Sequence, residues 1–127
     1  MHIRNLGGSG LRVSVVGLGC NNFGVRSDAE TSRKIIHKAL DLGITLFDTA
    51  DMYADRGGSE TILGDVLGAR RKDIVLATKF GMAMSDDGTK QGASRRYIMT
   101  AVEDSLRRLR TDYIDLYQQH RFDPLTP

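Results

Sequence analysis

The residue types best suited to acid–base chemistry in this sequence are an aspartate, a tyrosine, a lysine and a histidine near the ends of apolar runs. Asp48 ends one run, Tyr53 lies in the loop that follows, and Lys79 and His120 come just after the next two runs. A tyrosine is a weak acid near neutral pH, and it needs a cationic neighbour that stabilises its phenolate. We expect Lys79 to be that cation, Asp48 to fix the lysine, and His120 to hydrogen-bond a substrate oxygen.

A repeating pattern of strands and helices must position these side chains. Apolar runs near residues 15, 44, 74 and 114 predict four strands, and the stretches between them have the periodicity of amphipathic helices. Ser27 and Glu30 match a capping box for the first helix, Gly43 supplies its C-terminal cap, and Ser94 can cap the third helix. The apolar residues of the three helices are, in chain order, Ile35, Ile36, Ala39, Leu40; Ile62, Leu63, Val66, Leu67; and Ile98, Val102, Leu106, Leu109.

Two further features complete the pattern. The apolar-rich runs 3–6 and 11–13 flank a Gly-Gly-Ser-Gly segment, which predicts an N-terminal β-hairpin. The polar segment 82–93 has no periodicity and predicts a long loop before the third helix. We therefore expect a hairpin followed by four strands and three helices in alternation.

The alternation of strands and helices predicts a parallel sheet of the α/β class. Two architectures compete, an open doubly wound sheet and a closed (β/α)8 TIM barrel. Asp48, Lys79 and His120 each come from the carboxyl end of a different consecutive strand, which is how barrel enzymes assemble their sites. An open dinucleotide-binding sheet would carry Gly-x-Gly-x-x-Gly after its first strand, whereas Asn22 occupies the third glycine position here. The barrel is therefore favoured.

Three sequence blocks resemble motifs of the aldo-keto reductase family. The block 47–64 begins Phe-Asp-Thr-Ala-Asp-Met-Tyr and continues with Ser-Glu and Leu-Gly; the block 75–79 is Val-Leu-Ala-Thr-Lys; the block 109–120 ends Asp-Leu-Tyr-Gln-Gln-His. The blocks stand in the family's order and at suitable spacing, and the similarity covers 6–127. Because all three blocks match, the chain resembles the aldo-keto reductase family.

The resemblance implies an NAD(P)H-dependent oxidoreductase that reduces small aldehydes or ketones to alcohols by hydride transfer from a nicotinamide. Asp48, Tyr53, Lys79 and His120 fall on the family's catalytic positions, with Tyr53 as the proton donor. NADPH is the expected cofactor and NADH the alternative. In similar proteins the loop after the first strand meets the nicotinamide. The candidate cofactor contacts are Gly19, Cys20, Asn21, Arg26 and Asp48.

Other functions stay open at this point. Potassium-channel β-subunits share the fold and the motifs but act as regulatory partners of a membrane protein, and an inactive fragment is a third interpretation. A complete barrel takes about 250 residues. We expect residues 1–127 to be the N-terminal half of a single barrel domain, with four strands and three helices. The loops that grip the cofactor's phosphates would lie in the other half.

Composition restricts the setting of the protein. The 127 residues are 40% hydrophobic and 27% charged, as in a soluble globular domain. The net charge of +2 is interleaved along the chain, so we expect no nucleic-acid partner. No apolar run approaches the roughly 20 residues that span a bilayer, and one cysteine fits a reducing cytoplasm. We expect a cytoplasmic protein without a metal site or membrane contact.

Several side chains have two interpretations. Cys20 is either a small core residue or a cofactor contact. Phe80, Met82 and Met84 either line a substrate entrance or fill gaps in the core. The arginines of the third helix and its end are expected to form a solvated face. They are Arg95, Arg96, Arg107, Arg108 and Arg110.

Overall fold

The computed structural model describes residues 1–127 and begins with a β-hairpin. Strand β1 (Ile3–Asn5) pairs antiparallel with β2 (Arg12–Ser14), with Ile3 opposite Ser14. Gly7 in the connecting loop has φ +58°, a conformation in which glycine lacks the Cβ clash of other residues. The predicted N-terminal hairpin is confirmed.

Four parallel strands form the sheet that carries the rest of the chain. They are β3 (Gly17–Gly19), β4 (Leu46–Asp48), β5 (Val75–Phe80) and β6 (Leu116–Gln119), and they neighbour one another in chain order. Every pairing is parallel, and each crossover between consecutive strands contains a helix. This is the arrangement of part of a (β/α)8 barrel, so the predicted fold class is confirmed.

The strands begin later than the apolar runs predicted. Val15 and Val16 precede β3 and are each 50% exposed, because the ladder to β4 begins only at Gly17. The second and fourth strands are likewise displaced toward their carboxyl ends. The third extends to Phe80 and so includes Lys79, which was expected to follow it.

Helix α1 (Ala29–Asp41) forms the connection between β3 and β4. Its N-terminal cap is Asp28, whose Oδ1 accepts a hydrogen bond from the Thr31 amide at 2.8 Å. The capping box predicted from Ser27 is therefore wrong by one residue, because the aspartate side chain already satisfies the free amide. Gly43 adopts φ +78° just after the helix, as predicted.

Helix α2 (Tyr53–Leu67) contains a left-handed turn near its start. Ala54, Asp55 and Arg56 have φ between 54° and 64°, and Gly57 has φ 132°. Each non-glycine residue in this region costs about 1–2 kcal/mol. The regular part of α2 therefore begins after Gly57, and it is followed by a 3-10 helix over Gly68–Asp73.

Helix α3 (Arg95–Leu109) begins at the predicted cap, since Ser94 Oγ accepts from the Tyr97 amide at 3.2 Å. Its predicted apolar face is wrong in part. Leu109 is buried, but the other buried positions form a different stripe, while Ile98, Val102 and Leu106 are half-buried. The buried residues of α3 are Tyr97, Ala101, Ser105 and Leu109.

Small residues explain this rotation of α3. A Cβ atom built on Gly64 of α2 would lie 2.3 Å from the Arg108 carbonyl oxygen and 2.8 Å from the Leu109 carbonyl carbon. The backbone of α2 thus approaches α3 closely, and the small side chains of Ala101 and Ser105 face inward. Close backbone approach has outweighed side-chain hydrophobicity in orienting this helix.

Two apolar clusters lie between the sheet and the helices. The larger includes Phe47, Ile36, Leu63 and Leu76, all without exposed surface. The smaller surrounds Phe80, whose ring centroid lies 4.8 Å from that of Tyr117. Phe80 therefore fills the core and does not line an entrance. None of the helices combines the length and apolar character that a membrane crossing requires.

Candidate active site

Three neighbouring strands bring the predicted site residues to one edge of the sheet. Asp48 is the last residue of β4, Lys79 is the penultimate residue of β5, and His120 directly follows β6. The His120 amide donates to the Phe80 carbonyl oxygen at 2.8 Å, which continues the ladder beyond the strand. The carboxyl ends of parallel strands thus deliver one titratable side chain each.

Lys79 is the centre of the cluster. Its Nζ donates to Asp48 Oδ2 and to the Thr49 carbonyl oxygen, both at 2.7 Å, and lies 5.1 Å from the centroid of the Tyr53 ring. The Lys79 side chain is 14% exposed, whereas that of Asp48 is 43% exposed. The ammonium is thus largely removed from water while a carboxylate and a carbonyl satisfy two of its three N–H donors.

Tyr53 and His120 face each other beside the lysine. Their ring centroids are 5.7 Å apart and their planes are nearly perpendicular, at 89°. Burial lowers the pKa of His120 from 6.5, and the Lys79 cation lowers it further. His120 is therefore neutral near pH 7, and its buried Nδ1 has no hydrogen-bond partner in the chain. The four residues predicted from the sequence form one cluster.

The loop after β3 borders this cluster, because the Cys20 amide donates to the Asp48 carbonyl oxygen at 2.9 Å. Gly19, Asn21 and Arg26 are exposed. The Cys20 side chain is fully buried, and burial raises the pKa of its thiol to about 12. The thiol of Cys20 is thus a core contact and offers no surface to a cofactor.

A buried hydrogen-bond chain behind the cluster was not predicted. Ser59 Oγ lies 2.9 Å from Thr49 Oγ1 and donates to the Cys20 carbonyl oxygen at 2.8 Å. Thr49, Ser59 and Cys20 are all fully buried. These small uncharged residues gave no separate signal, although Ser59 belongs to the Ser-Glu pair of the first family-like block.

A buried ion pair joins α2 to α3. Arg108 Nε donates to Glu60 Oε2 at 2.7 Å, and Thr78 Oγ1 donates to Glu60 Oε1 at 2.6 Å. Glu60 is fully buried and the Arg108 side chain is 22% exposed. The prediction of a solvated arginine face is therefore wrong for Arg108, because the buried glutamate needs a cation.

Asp51 is a second buried acid, and it has no partner. The residue is 1% exposed, and neither carboxyl oxygen makes a hydrogen bond within the chain. Burial and the nearby Glu60 carboxylate raise the pKa of Asp51 to about 7, although Arg108 acts in the opposite direction. No group of three or more His, Cys, Asp or Glu side chains is arranged to hold a metal ion.

Comparison with known proteins assigns the chain to a family. A sequence model described as the aldo/keto reductase family matches residues 15–127, which is most of the chain. The chain belongs to the aldo/keto reductase family. This agrees with the Asp, Tyr, Lys and His side chains found together at the strand ends.

Individual relatives of this aldo/keto reductase chain are oxidoreductases. The oxidoreductase YqkF of Bacillus subtilis is 49% identical over 122 residues, which cover 94% of this chain and 39% of the relative. The L-glyceraldehyde 3-phosphate reductase of Escherichia coli K12 is 37% identical over 133 residues, covering 100% and 38% of the two chains. These names favour an enzyme over a regulatory subunit.

A solved structure confirms the fold. The holo form of aldo-keto reductase AKR11C1 from Bacillus halodurans matches with a TM-score of 0.87 and 45% identity, covering 100% of this chain and 42% of that one. The chain therefore spans about two fifths of the length of the relatives that it matches. Members of the family generally use nicotinamide cofactors.

Proposed function

We propose that this chain supplies the reaction end of the active site in an NADPH-dependent reductase of aldehydes and ketones. The observation that carries the proposal is the position of Lys79, whose ammonium is bound to Asp48 and lies beside the ring of Tyr53. A protonated lysine there can stabilise the phenolate that forms when the tyrosine gives up its proton. Asp48 holds the lysine in place through the hydrogen bond between Oδ2 and Nζ.

The residues at the strand ends suit a nicotinamide. No protein side chain donates hydride, so the reduction needs a cofactor, and a bound nicotinamide would supply the hydride. A Cβ atom built on Gly19 meets no atom within 4 Å, which leaves open space beside the Asp48 backbone for a flat ring. Gly19, Asn21, Arg26 and Asp48 are the proposed contacts, and Cys20 is left out because the whole residue is buried.

Each of the four clustered residues has a distinct proposed role. Tyr53 holds the proton that passes to the carbonyl oxygen of the substrate. His120, neutral because burial and Lys79 lower its pKa, orients that oxygen through a ring N–H and stabilises its developing negative charge. Lys79 stabilises the tyrosine after proton transfer, and Asp48 limits the cost of burying the lysine.

The substrate proposed is a small aldehyde or ketone. The name of the Escherichia coli relative, an L-glyceraldehyde 3-phosphate reductase, supports an aldehyde. NADPH is proposed over NADH on family resemblance alone, and kcat/KM measured with each cofactor decides between them. A preference for NADH would change the cofactor and leave the roles of the four residues intact.

The test uses the chain joined to the remaining C-terminal segment of the Bacillus halodurans enzyme, here termed the completed chain. We expect it to oxidise NADPH in the presence of aldehydes, and we expect Tyr53→Phe to lower kcat/KM at least about 100-fold by removing the acid. Tyr113→Phe is the matched control, since Tyr113 is half-exposed and packs on Arg71 away from the cluster. Equal rates for the two variants would eliminate Tyr53 as the proton donor.

A further inference from the structure

Three uncharged groups form a hydrogen-bond chain whose donors can be assigned. The Ser59 hydroxyl has one hydrogen, and it donates this to the Cys20 carbonyl oxygen at 2.8 Å. The contact of 2.9 Å between Ser59 Oγ and Thr49 Oγ1 must then have Thr49 as its donor. Ser59 thus accepts a hydrogen bond from Thr49, just after β4, and donates one to Cys20 in the loop after β3.

One end of this chain fixes an acceptor of Lys79. The Thr49 amide donates to the Ala77 carbonyl oxygen at 2.9 Å, its hydroxyl is bound to Ser59, and its carbonyl oxygen accepts from Lys79 Nζ at 2.7 Å. The other acceptor of Lys79 is the Asp48 carboxylate, whose side chain is 43% exposed. The buried Thr49 peptide is therefore the more rigid of the two partners that hold the ammonium.

The other end of the chain fixes the loop beside the cluster. The Cys20 amide donates to the Asp48 carbonyl oxygen, and the Cys20 carbonyl oxygen accepts from Ser59. Both backbone groups of Cys20 are thereby satisfied while its neighbours Gly19 and Asn21 stay exposed. One serine hydroxyl thus connects the lysine's acceptor with the loop proposed to meet the nicotinamide.

We propose that Ser59 is a positioning residue that sets Lys79 and the loop after β3 in register with each other. Ser59 is fully buried and contacts no reacting group, so it acts through Thr49 and Cys20. The catalytic consequence rests on the proposed function, in which Lys79 serves Tyr53. The mechanical part, that Ser59 restrains Lys79, does not depend on that function.

The first measurement is the reactivity of Lys79 toward an amine-modifying reagent, followed by mass spectrometry on the folded, completed chain. In the wild type, two hydrogen bonds and low exposure slow the labelling of Lys79. Ser59→Ala leaves Thr49 without its acceptor, so we expect Lys79 to be labelled at least about threefold faster. Ser32→Ala is the matched control, because Ser32 is also a fully buried helical serine and its hydroxyl donates only to the Ser27 carbonyl.

The second measurement is steady-state reduction by the same variants. Ser59→Ala should lower kcat about tenfold or more and change KM for the carbonyl substrate little, because misplacing a catalytic group slows chemistry more than binding. Thr49→Val should behave like Ser59→Ala. Thr49→Ser keeps the donating hydroxyl and should recover most of the loss, whereas a general packing defect would not be rescued in this way.

The outcomes separate the two proposals. Faster Lys79 labelling in Ser59→Ala but not in Ser32→Ala supports the positioning role even if the completed chain reduces no carbonyl, a result that would instead overturn the proposed function. If Ser59→Ala and Ser32→Ala match in labelling and in kcat, Ser59 is an ordinary core residue and the inference fails.

Discussion

Two buried acids, Glu60 and Asp51, differ in the partners that surround their carboxyl groups. Glu60 has a cation in Arg108 and a hydroxyl donor in Thr78, and these offset the cost of burying its charge. Asp51 has neither, and its pKa is raised to about 7 by burial and by Glu60. Of these two buried acids, Asp51 is therefore the one whose pKa is moved close to neutral pH by its surroundings.

This difference predicts how stability depends on pH. The unfolded Asp51 releases its proton near pH 4 and the folded one near pH 7, so the free energy of unfolding falls as pH rises through that window. The shift of about three pKa units corresponds to a loss on the order of 4 kcal/mol by pH 8. Asp51→Asn should remove this loss and stabilise the completed chain at pH 8 while changing little at pH 4.

Urea unfolding at pH 4, 6 and 8 measures this effect. Asp41→Asn, at an exposed position near the end of α1, is the control for a change of charge without burial. A wild type and an Asp51→Asn variant with parallel stability curves across the three pH values would show that Asp51 is ionised to the same extent in the folded and unfolded states.

At the level of elements, the start of α2 places the ring centroid of Tyr53, the proposed proton donor, 5.1 Å from Lys79 Nζ. Tyr53 begins the helix and the left-handed turn over Ala54–Gly57 follows. Ser59 and Glu60 then bind the regular turns to the loop after β3 and to α3. The strain of three left-handed non-glycine residues is thus stored between the tyrosine and its anchor. Strain at such a position is consistent with a site in which placement matters more than local stability.

Sequence periodicity predicted the elements but not their contacts. The hairpin, the parallel order of strands and the caps at Gly43 and Ser94 follow from local patterns, and the structure confirms them. The predicted strand limits were misplaced because hydrogen bonding to the neighbouring strand, and not the apolar run itself, decides where each strand begins and ends. The left-handed turn gave no signal, since residues such as Ala54 and Arg56 rarely adopt that conformation.

The site was predictable to the extent that its residues carry charge or belong to a motif. Asp48, Lys79 and His120 could be identified from the sequence because they are polar residues at the ends of predicted strands. Thr49 and Ser59 do not, because their importance depends on burial and on partners 10 to 39 residues away. Hydrogen bonds between distant buried groups are properties of the packed structure.

The close approach of α2 and α3 gives a prediction at the element scale. Gly64→Ala would place a Cβ atom 2.3 Å from the Arg108 carbonyl oxygen, so α3 must move away and weaken the Glu60 ion pair beside it. We expect the free energy of unfolding to fall by about 2 kcal/mol, as for overpacking in a core. Gly8→Ala is the control, because a Cβ atom there meets nothing within 4 Å. Equal stabilities of the two variants in thermal unfolding would mean that the helices are not in such close contact.

At the scale of the whole molecule, the sheet has two strands with one neighbour each, β3 and β6. Val15 and Val16 beside β3 are half-exposed, and Phe122 and Leu125 beyond β6 are 80% and 91% exposed. Around the candidate site, Lys79 is occupied by Asp48 and Arg56 by Asp86. Beside the proposed reaction centre, these pairs occupy two of the cations that would otherwise be free to bind the phosphates of a dinucleotide.

This imbalance predicts different affinities for the two ends of the cofactor. Reduced nicotinamide mononucleotide carries only the reacting end, and we expect the 127-residue chain and the completed chain to bind it within about threefold of each other. NADPH adds a pyrophosphate and an adenosine 2′-phosphate, and we expect it to bind the completed chain at least about 100-fold more tightly than the 127-residue chain, a difference of roughly 2.7 kcal/mol.

The 127-residue chain has no tryptophan, so the fluorescence of the reduced nicotinamide itself is the signal to follow. Circular dichroism must show both proteins folded before the Kd values are compared. If the 127-residue chain gains as much affinity from the adenosine end as the completed chain does, groups within these residues, such as the exposed Arg26, must contact the phosphates, and the division into a reaction end and a cofactor-gripping end is wrong.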